Sequence, residues 1–397
     1  MNVLVVNCGS SSLKFQLINA ATEAVLAKGI CERIGMDGQF VYQPAGGEKE
    51  KSQKDMPTHT QAIGFVLEAL TNEATGVLKS LEEIGAVGHR CVHGGEKFTE
   101  SAIIDEEMIA GVESCNDLAP LHNPANIIGI RACQELMPGV PMVGVFDTAF
   151  HQTMPPEAYM YGIPYEYYEK YGIRKYGFHG TSHSFVSKRV CEFLGQKLED
   201  TKTVVCHLGN GSSICAVKGG KSIDTSMGMT PLEGVVMGTR SGSLDPAIIE
   251  FIMKKEELTI DQAMDVLNKK SGMYGLSGYN SSDFRDLTDS LLAGDEKAIV
   301  ALDVFAYRVA KTIGGYIMAM DGVDNIVFTA GIGENDELVR ANIFKYLGHL
   351  GVEIDEELNL IRGQELIISK PGSKVTVAVV PTNEELAIAR ETLALVK

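Results

Sequence analysis

The sequence predicts a duplicated α/β protein, two domains that each open on a strand and a Gly/Ser turn, with a nucleotide held between the copies. Three observations carry that prediction. Val204 to Ser213 reads Val-Val-Cys-His-Leu-Gly-Asn-Gly-Ser-Ser. Gly209 and Gly211 tolerate positive φ and let backbone approach a ligand. The N–H groups beside Asn210 and Ser212 form a nest of donors suited to phosphate oxygens. A tight hairpin would use the same letters, so the second observation matters. Met1 to Leu13 repeats the pattern about 200 residues earlier, with an apolar strand, a polar residue, Gly and a Ser cluster. The third is length, since 397 residues suffice for two or three domains with their own cores.

Composition narrows the partners. Hydrophobic content of 45% and 22% charged residues fit a soluble globular chain. A net charge of −17 argues against nucleic acid or an anionic membrane, and makes any polyphosphate depend on a few local cations. The cysteines at 8, 31, 91, 115, 133, 191, 206 and 215 form no CxxC pair and sit mostly in apolar runs. They read as buried thiols in a reducing compartment. With no basic leader at the start and no apolar run of spanning length, a cytoplasmic location is expected.

In chain order, Val3–Val6, Lys14–Ile18 and Ala24–Gly29 read as an antiparallel meander. Gly46–Asp55 reads as an exposed loop. Thr58–Thr71 has helical spacing through Ile63, Val66, Leu67 and Leu70. Ala86–Val92 is a strand ending in His93-Gly94-Gly95. Asn123-Pro124 caps and starts a helix running to about Leu136. Pro141–Phe146 is an apolar strand ending in Asp147, as a buried parallel strand with its ligand edge at the carboxyl end would. Gln152–Lys175 is rich in Tyr and Pro. It reads as a connector near a domain boundary at 150, with its tyrosines at a subunit or inter-domain contact or, less favoured, against a base. Thr203–Val217 is strand, loop, strand. Lys218-Gly-Gly-Lys-Ser222 has the ending of a Walker A loop, but Cys215 stands where that pattern needs Gly, so a Gly-Gly hairpin is the better reading. Helices follow at Pro246–Lys254, Ile260–Lys269, Ser282–Leu292 and Asp295–Met320. Asn325–Thr329 is a strand, Ala330–Asn335 its turn, Lys374–Val380 the last strand and Glu384–Val396 a closing helix that crosses back to the first domain.

The chemistry-bearing residues cluster at strand ends. Arg90 lies in an apolar strand, where Arg is seldom buried unpaired; a structural salt bridge and an anion-binding role both fit. His179 and His183 lack the carboxylate of an HExxH zinc site, so a histidine donating to a transferring group is favoured over metal, with a satisfied core histidine as the alternative. Arg240, alone among Gly, Met, Ser and Thr, reads as an anion clamp. Glycine turns for phosphates, carboxylates for Mg²⁺ and Arg/His donors for charge in flight are the parts of phosphoryl transfer.

Seven stretches carry a resemblance. They are Asn7-Cys-Gly-Ser-Ser-Ser-Leu-Lys14, His89-Arg-Cys-Val-His-Gly-Gly95, Phe146-Asp-Thr-Ala-Phe150, Phe178-His-Gly-Thr-Ser-His183, His207-Leu-Gly-Asn-Gly-Ser-Ser213, Gly331-Ile-Gly-Glu-Asn335 and Pro381-Thr-Asn-Glu-Glu385. In this order over the whole length, the chain resembles the acetate kinase family. That family is similar to the actin, Hsp70 and sugar-kinase superfamily, which implies two RNase-H-like domains flanking a nucleotide cleft. The expected division is 1–150 plus the helix 385–397, and 151–384.

By that resemblance Asn7 and Glu384 hold Mg²⁺, with Mn²⁺ as an alternative. Ser10, Ser12 and Lys14 line the phosphate path. His207, Leu208, Gly209, Asn210 and Gly211, then Asp283, Phe284 and Arg285, then Gly331, Ile332, Gly333, Glu334 and Asn335 bind ATP. Arg90 pairs with the carboxylate of acetate, while Val92, Leu121, Phe178 and Pro231 wall off its methyl group. Asp147, His179, Arg240 and Arg90 form the catalytic set. The implied reaction is reversible in-line transfer from ATP to acetate, giving acetyl phosphate and ADP and feeding acetyl-CoA synthesis, in a homodimer. Propionate kinase shares the motifs. A non-metabolic ATPase of the superfamily is less favoured, because such a chaperone needs a further domain and 13 residues follow Glu384.

Overall fold

The computed structural model describes residues 1–279 and 281–397. The chain divides into two compact units, Met1–Phe150 with Asn383–Lys397, and His151–Thr382.

In the first unit the described residues form an eight-stranded sheet. Its strands are β1 (Asn2–Cys8), β2 (Ser12–Asn19), β3 (Val25–Glu32), β4 (Gln39–Pro44), β5 (Glu50–Gln53), β6 (Ile84–Cys91), β7 (Ala102–Ile103) and β8 (Met142–Phe146), in the order β5-β4-β3-β2-β1-β6-β8-β7. β1 to β5 are an antiparallel meander, and β6 and β8 run parallel to β1. Period-2 alternation gives β1 two buried faces. Leu4 and Val6 join the core that includes Ile63 and Val66 of the helix His59–Leu70 and Ile130 of the helix Asn123–Leu136. Val3 and Val5 pack with Val143, Val145 and, from the C-terminal helix Glu384–Val396, Ile388 and Ala389.

The second unit has a six-stranded sheet among its described residues. The strands β9 (Lys202–Leu208), β10 (Ser212–Lys218), β11 (Lys221–Thr225), β12 (Asn325–Thr329), β13 (Leu366–Ile367) and β14 (Thr376–Val379) are ordered β11-β10-β9-β12-β14-β13. The helix Glu296–Met320, whose first turn is capped by Asp295 through the N–H groups of Lys297 and Ala298, supplies Ala301, Phe305, Val309 and Ile313 to the core over this sheet.

The order β3-β2-β1-β6-β8 in one unit equals β11-β10-β9-β12-β14 in the other, antiparallel in the first half and parallel in the second. This is the duplication the two Gly/Ser turns predicted, in the RNase-H-like α/β architecture the resemblance implied. Both turns are hairpins as well, β1–β2 and β9–β10.

Several local expectations are corrected. Gly46–Asp55 contains the edge strand β5, all four of whose side chains are exposed. Its charged residues, read as loop, also keep an open edge from pairing with other chains. Ala330–Asn335 is a short helix instead of a turn. Phe178–His183 leads into the helix Gly180–Leu194, whose start was hidden by the Gly and His of the motif. Asn123 lies inside its helix, with His122 at the cap position. The tyrosine-rich stretch forms two short helices, Pro156–Tyr159 and Glu166–Tyr171, and Tyr168 meets Tyr159 with tilted rings, centroids 6.0 Å apart, and Tyr165 edge-on at 5.7 Å.

Candidate active site

Parallel strands deliver their functional groups at their carboxyl ends. In the first unit, Asn7 stands near the end of β1, Arg90 near the end of β6 and Asp147 directly after β8. Arg90 donates from Nε to Asp147 Oδ1 at 3.3 Å, from Nη2 to Asp147 Oδ2, and from Nη1 to Asn7 Oδ1 at 3.4 Å. Asp147 is 1% exposed and the Arg90 side chain 22%. Burial works against the guanidinium charge, but the Asp147 and Glu384 carboxylates outweigh it and raise the Arg90 pKa. Three of the five guanidinium N–H groups are therefore engaged among the described residues, and two are not.

Glu384 opens the C-terminal helix, which Asn383 caps by accepting from Leu386 N at 3.0 Å. Its pKa is pushed up to about 7, by burial first and then by Asp147. Such a carboxylate sits where more positive charge would be welcome. Among the described residues no three His, Cys, Asp or Glu side chains converge as a metal cage. The donors present are oxygens, from Asn7, Asp147 and Glu384. They suit Mg²⁺, which takes one or two carboxylates and otherwise keeps water and substrate phosphate. Lys14, exposed, faces Asn7 across the β1–β2 register, with Ser10 exposed in the turn and Ser12 half-buried at the start of β2. The hairpin is tied down by His59, whose Nε2 lies 2.8 Å from Gly9 O.

Sequence reasoning missed the groups that fix these strand ends. Asn126 donates to Cys8 O at 2.8 Å and accepts from Val92 N at 3.0 Å, joining the ends of β1 and β6. Asn123 holds His93 N and O in the same way. Val92 is buried at 4%, whereas Leu121 is 77% exposed in this structure.

In the second unit the histidines gather. His179 caps the helix Gly180–Leu194 from a left-handed conformation, φ 58°, strain of the kind that accumulates at functional sites. Its ring stacks on His207 at 4.1 Å. Its Nδ1 lies 2.8 Å from Ser213 Oγ, which is also 2.7 Å from His183 Nε2. His207, near the end of β9, is held through Nδ1 by Ser182 Oγ at 2.8 Å, which in turn meets Thr382 Oγ1 at 2.8 Å. Arg240 donates to Pro231 O at 2.7 Å, and burial lowers its pKa. The Arg240 loop comes so close to the β9–β10 hairpin that a Cβ on Gly211 would lie 2.8 Å from Arg240 Nη2, and one on Gly238 would lie 1.9 Å from Asn210 Oδ1. Phe178 is buried, and its carbonyl lies 3.0 Å from His151 Nε2.

Beside this cluster a cleft of about 690 Å³ is lined by Gly209, Asn210, Asp283, Phe284, Arg285, Gly331, Ile332 and Asn335 of the predicted ATP residues, together with Ser282, Thr288, Asp289, Asp336, Glu337 and Arg362. That volume suits a nucleoside. Asp283 caps the helix Phe284–Leu292 and is held by Arg285, whose hydrogen bonds lower its pKa to about 2. His207, Leu208, Gly211, Gly333 and Glu334 lie outside the lining. Glu334 accepts from Thr382 N at 3.2 Å. The backbone next to this lining, at Gly333, rests on a residue the sequence reading passed over. Arg340, 0% exposed, donates to Gly333 O at 2.8 Å and to Asn359 Oδ1 at 2.8 Å and O at 2.5 Å. Its signal was a cation on the apolar face Val339–Ile343.

Residues 2–390 match the model of the Acetokinase family. The acetate kinase of Agathobacter rectalis is 66% identical over 397 residues, 100% of both chains. The crystal structure of Porphyromonas gingivalis acetate kinase is 49% identical with a TM-score of 0.97 over 100% of both chains. That of a propionate kinase from Francisella tularensis subsp. tularensis SCHU S4 is 43% identical with a TM-score of 0.92 over 99% of both.

Proposed function

The chain belongs to the acetokinase family, and from that premise we propose that it is an ATP:acetate phosphotransferase forming acetyl phosphate and ADP reversibly. The full-length match to acetate kinase carries this reading. An acetate oxygen attacks the γ-phosphorus while the bond to the ADP oxygen breaks in line. Acetate, with a pKa close to the ~4.3 of a Glu side chain, arrives ionised at neutral pH, so no general base is required. The geometry around Asp147 supports that, because two Arg90 N–H groups occupy it.

Roles follow residue by residue. The two remaining N–H groups of Arg90 take the acetate carboxylate, and Val92, Leu121, Phe178 and Pro231 surround the methyl group. His207–Gly211, Asp283–Arg285 and Gly331–Asn335 bind ATP, the last as the adenosine loop, and Ser10, Ser12 and Lys14 line the phosphate path. His179 and Arg240 donate to the charge that spreads over the transferring oxygens. Asn7 and Glu384, with Asp147 nearby, would hold Mg²⁺, which supplies charge neutralisation at the phosphates. A homodimer is supported by exposed aromatic surface at Tyr165, Tyr167 and Tyr171, and a reducing cytoplasm by eight buried free thiols.

Trapping acyl phosphate with hydroxylamine, using acetate, propionate and butyrate with ATP and Mg²⁺, tests the reading. Acetate is expected to give the highest kcat/KM. A preference for propionate would place the chain with the propionate kinases. ATP hydrolysis without acyl phosphate would sink the kinase reading.

A further inference from the structure

Ser213 Oγ stands between two imidazoles, and a hydroxyl has one proton to give. His179 and His183 are one turn apart, His183 N donating to His179 O at 2.9 Å, and both rings reach back to Ser213 on β10. Ser213 and His183 are both 0% exposed. Burial, and then the neighbouring His151 and His207, hold the His183 pKa well below its ordinary value, so its ring is neutral and carries one proton. His183 Nδ1 has no hydrogen-bond partner among the described residues. A proton there would be a buried donor without an acceptor, a rarer and costlier arrangement than an unfilled lone pair. The proton therefore sits on Nε2 and is donated to Ser213 Oγ. Ser213 must then donate its own proton to His179 Nδ1, so neutral His179 carries its proton on Nε2.

We propose that Ser213 and His183 are positioning residues that lock His179 in the Nε2–H tautomer, so that its other ring nitrogen is always a donor for the transferring phosphoryl group. The proposal deepens the kinase reading and rests on it for what His179 donates to. A His179 tautomer with the proton on Nδ1 would present a lone pair to phosphoryl oxygens. A wrong tautomer in otherwise intact geometry is enough to impair a catalytic histidine, as in the serine protease triad.

Long-range ¹H–¹⁵N correlation spectra of the full chain labelled with [¹⁵N]histidine read the tautomer directly, with His179 assigned by the signals lost in His179→Gln. Wild type is expected to show His179 as Nε2–H and Ser213→Ala a mixture of tautomers. In Ser213→Ala, kcat for acyl phosphate formation should fall roughly 10- to 100-fold, less than outright deletion of a donor can cost. KM for ATP and acetate should stay within about twofold, because positioning of a transition-state donor does not alter ground-state binding. His183→Gln, whose amide nitrogen can still donate to Ser213, should keep most of kcat, and His183→Leu should not. A wild-type His179 protonated on Nδ1, or a Ser213→Ala protein with normal kcat, overturns the proposal. Because the spectrum is recorded without substrate, a wild-type chain that shows Nε2–H yet makes no acyl phosphate would retain the relay and sink only the kinase reading.

Discussion

Asp147 directly follows the buried strand β8, a position that invites the label of general base, yet its carboxylate is spent on Arg90 and crowds Glu384. Asp147→Asn keeps the shape and removes the charge. A large fall in kcat is expected, partly rescued by high Mg²⁺, with a raised KM for acetate as Arg90 loses its orienting fork. The pH–rate profile should keep its basic limb; a vanished ionisation with unchanged Mg²⁺ affinity would make Asp147 an acid–base residue. Arg340 gives a second residue-scale prediction. Arg340→Lys cannot reproduce the planar fork to Gly333 O and Asn359. KM for ATP should rise and thermal stability drop, with KM for acetate unmoved. An unchanged KM for ATP would detach Arg340 from the ATP-binding role proposed for Gly331–Asn335. Arg240 and Asp147 could be read from sequence because a polar residue interrupts an apolar or Gly-rich run. Arg340 was harder, since its partners are backbone carbonyls and an Asn brought in by folding.

At the scale of elements, what could be read was what periodicity writes down. Asn325–Thr329, Ile260–Lys269 and Glu384–Val396 have the predicted bounds because a 5-residue apolar run, or helical spacing over 10–13 residues, leaves few alternatives. The edge strand β5 and the helix Gly180–Leu194 escaped, one because all its side chains face solvent, the other because its first turn is written in Gly, Thr, Ser and His instead of an apolar period. The C-terminal helix completes the first unit. Ile388 and Ala389 pack on Val3, Val5, Val143 and Val145, Arg390 pairs with Glu23, and Gly88 leaves room for Thr392. Ile388→Ala should cost about 2–5 kcal/mol, the range for a large-to-small core change. Hydrogen exchange should accelerate in β1, β6 and β8 before β9, β12 and β14. Equal acceleration in both sheets would mean the helix is not a local brace.

For the whole molecule, buried neutral imidazoles set the response to acid. Burial lowers His89 to about 3, His93 and, chiefly by burial, His151 to about 4, and His183 further below its ordinary value. The unfolded chain takes up these protons near the ordinary ~6.5, and the native chain does not. Stability is thus complete above about pH 6.5 and is lost as pH falls toward 4, each histidine adding about 1.4 kcal/mol per pH unit of slope. Denaturant titrations between pH 8 and pH 5 should show this decline, and His89→Gln should reduce the slope by about one proton. Stability independent of pH in that window would show that these rings protonate within the native state.

The first unit is written in two pieces, with His151–Thr382 between them. During translation, Met1–Phe150 leaves the ribosome long before the helix that covers Val3, Val5 and Val145 has been made. At about 5–20 residues per second the wait is roughly 12–50 s. The uninterrupted second unit is complete first, so the order of folding reverses the order of synthesis. Through that interval the nascent chain carries an uncovered apolar sheet face, which makes chaperone demand a property of this topology. Ribosome-bound chains stalled before residue 383 should be cut by protease within residues 1–150, and chains released at full length should not.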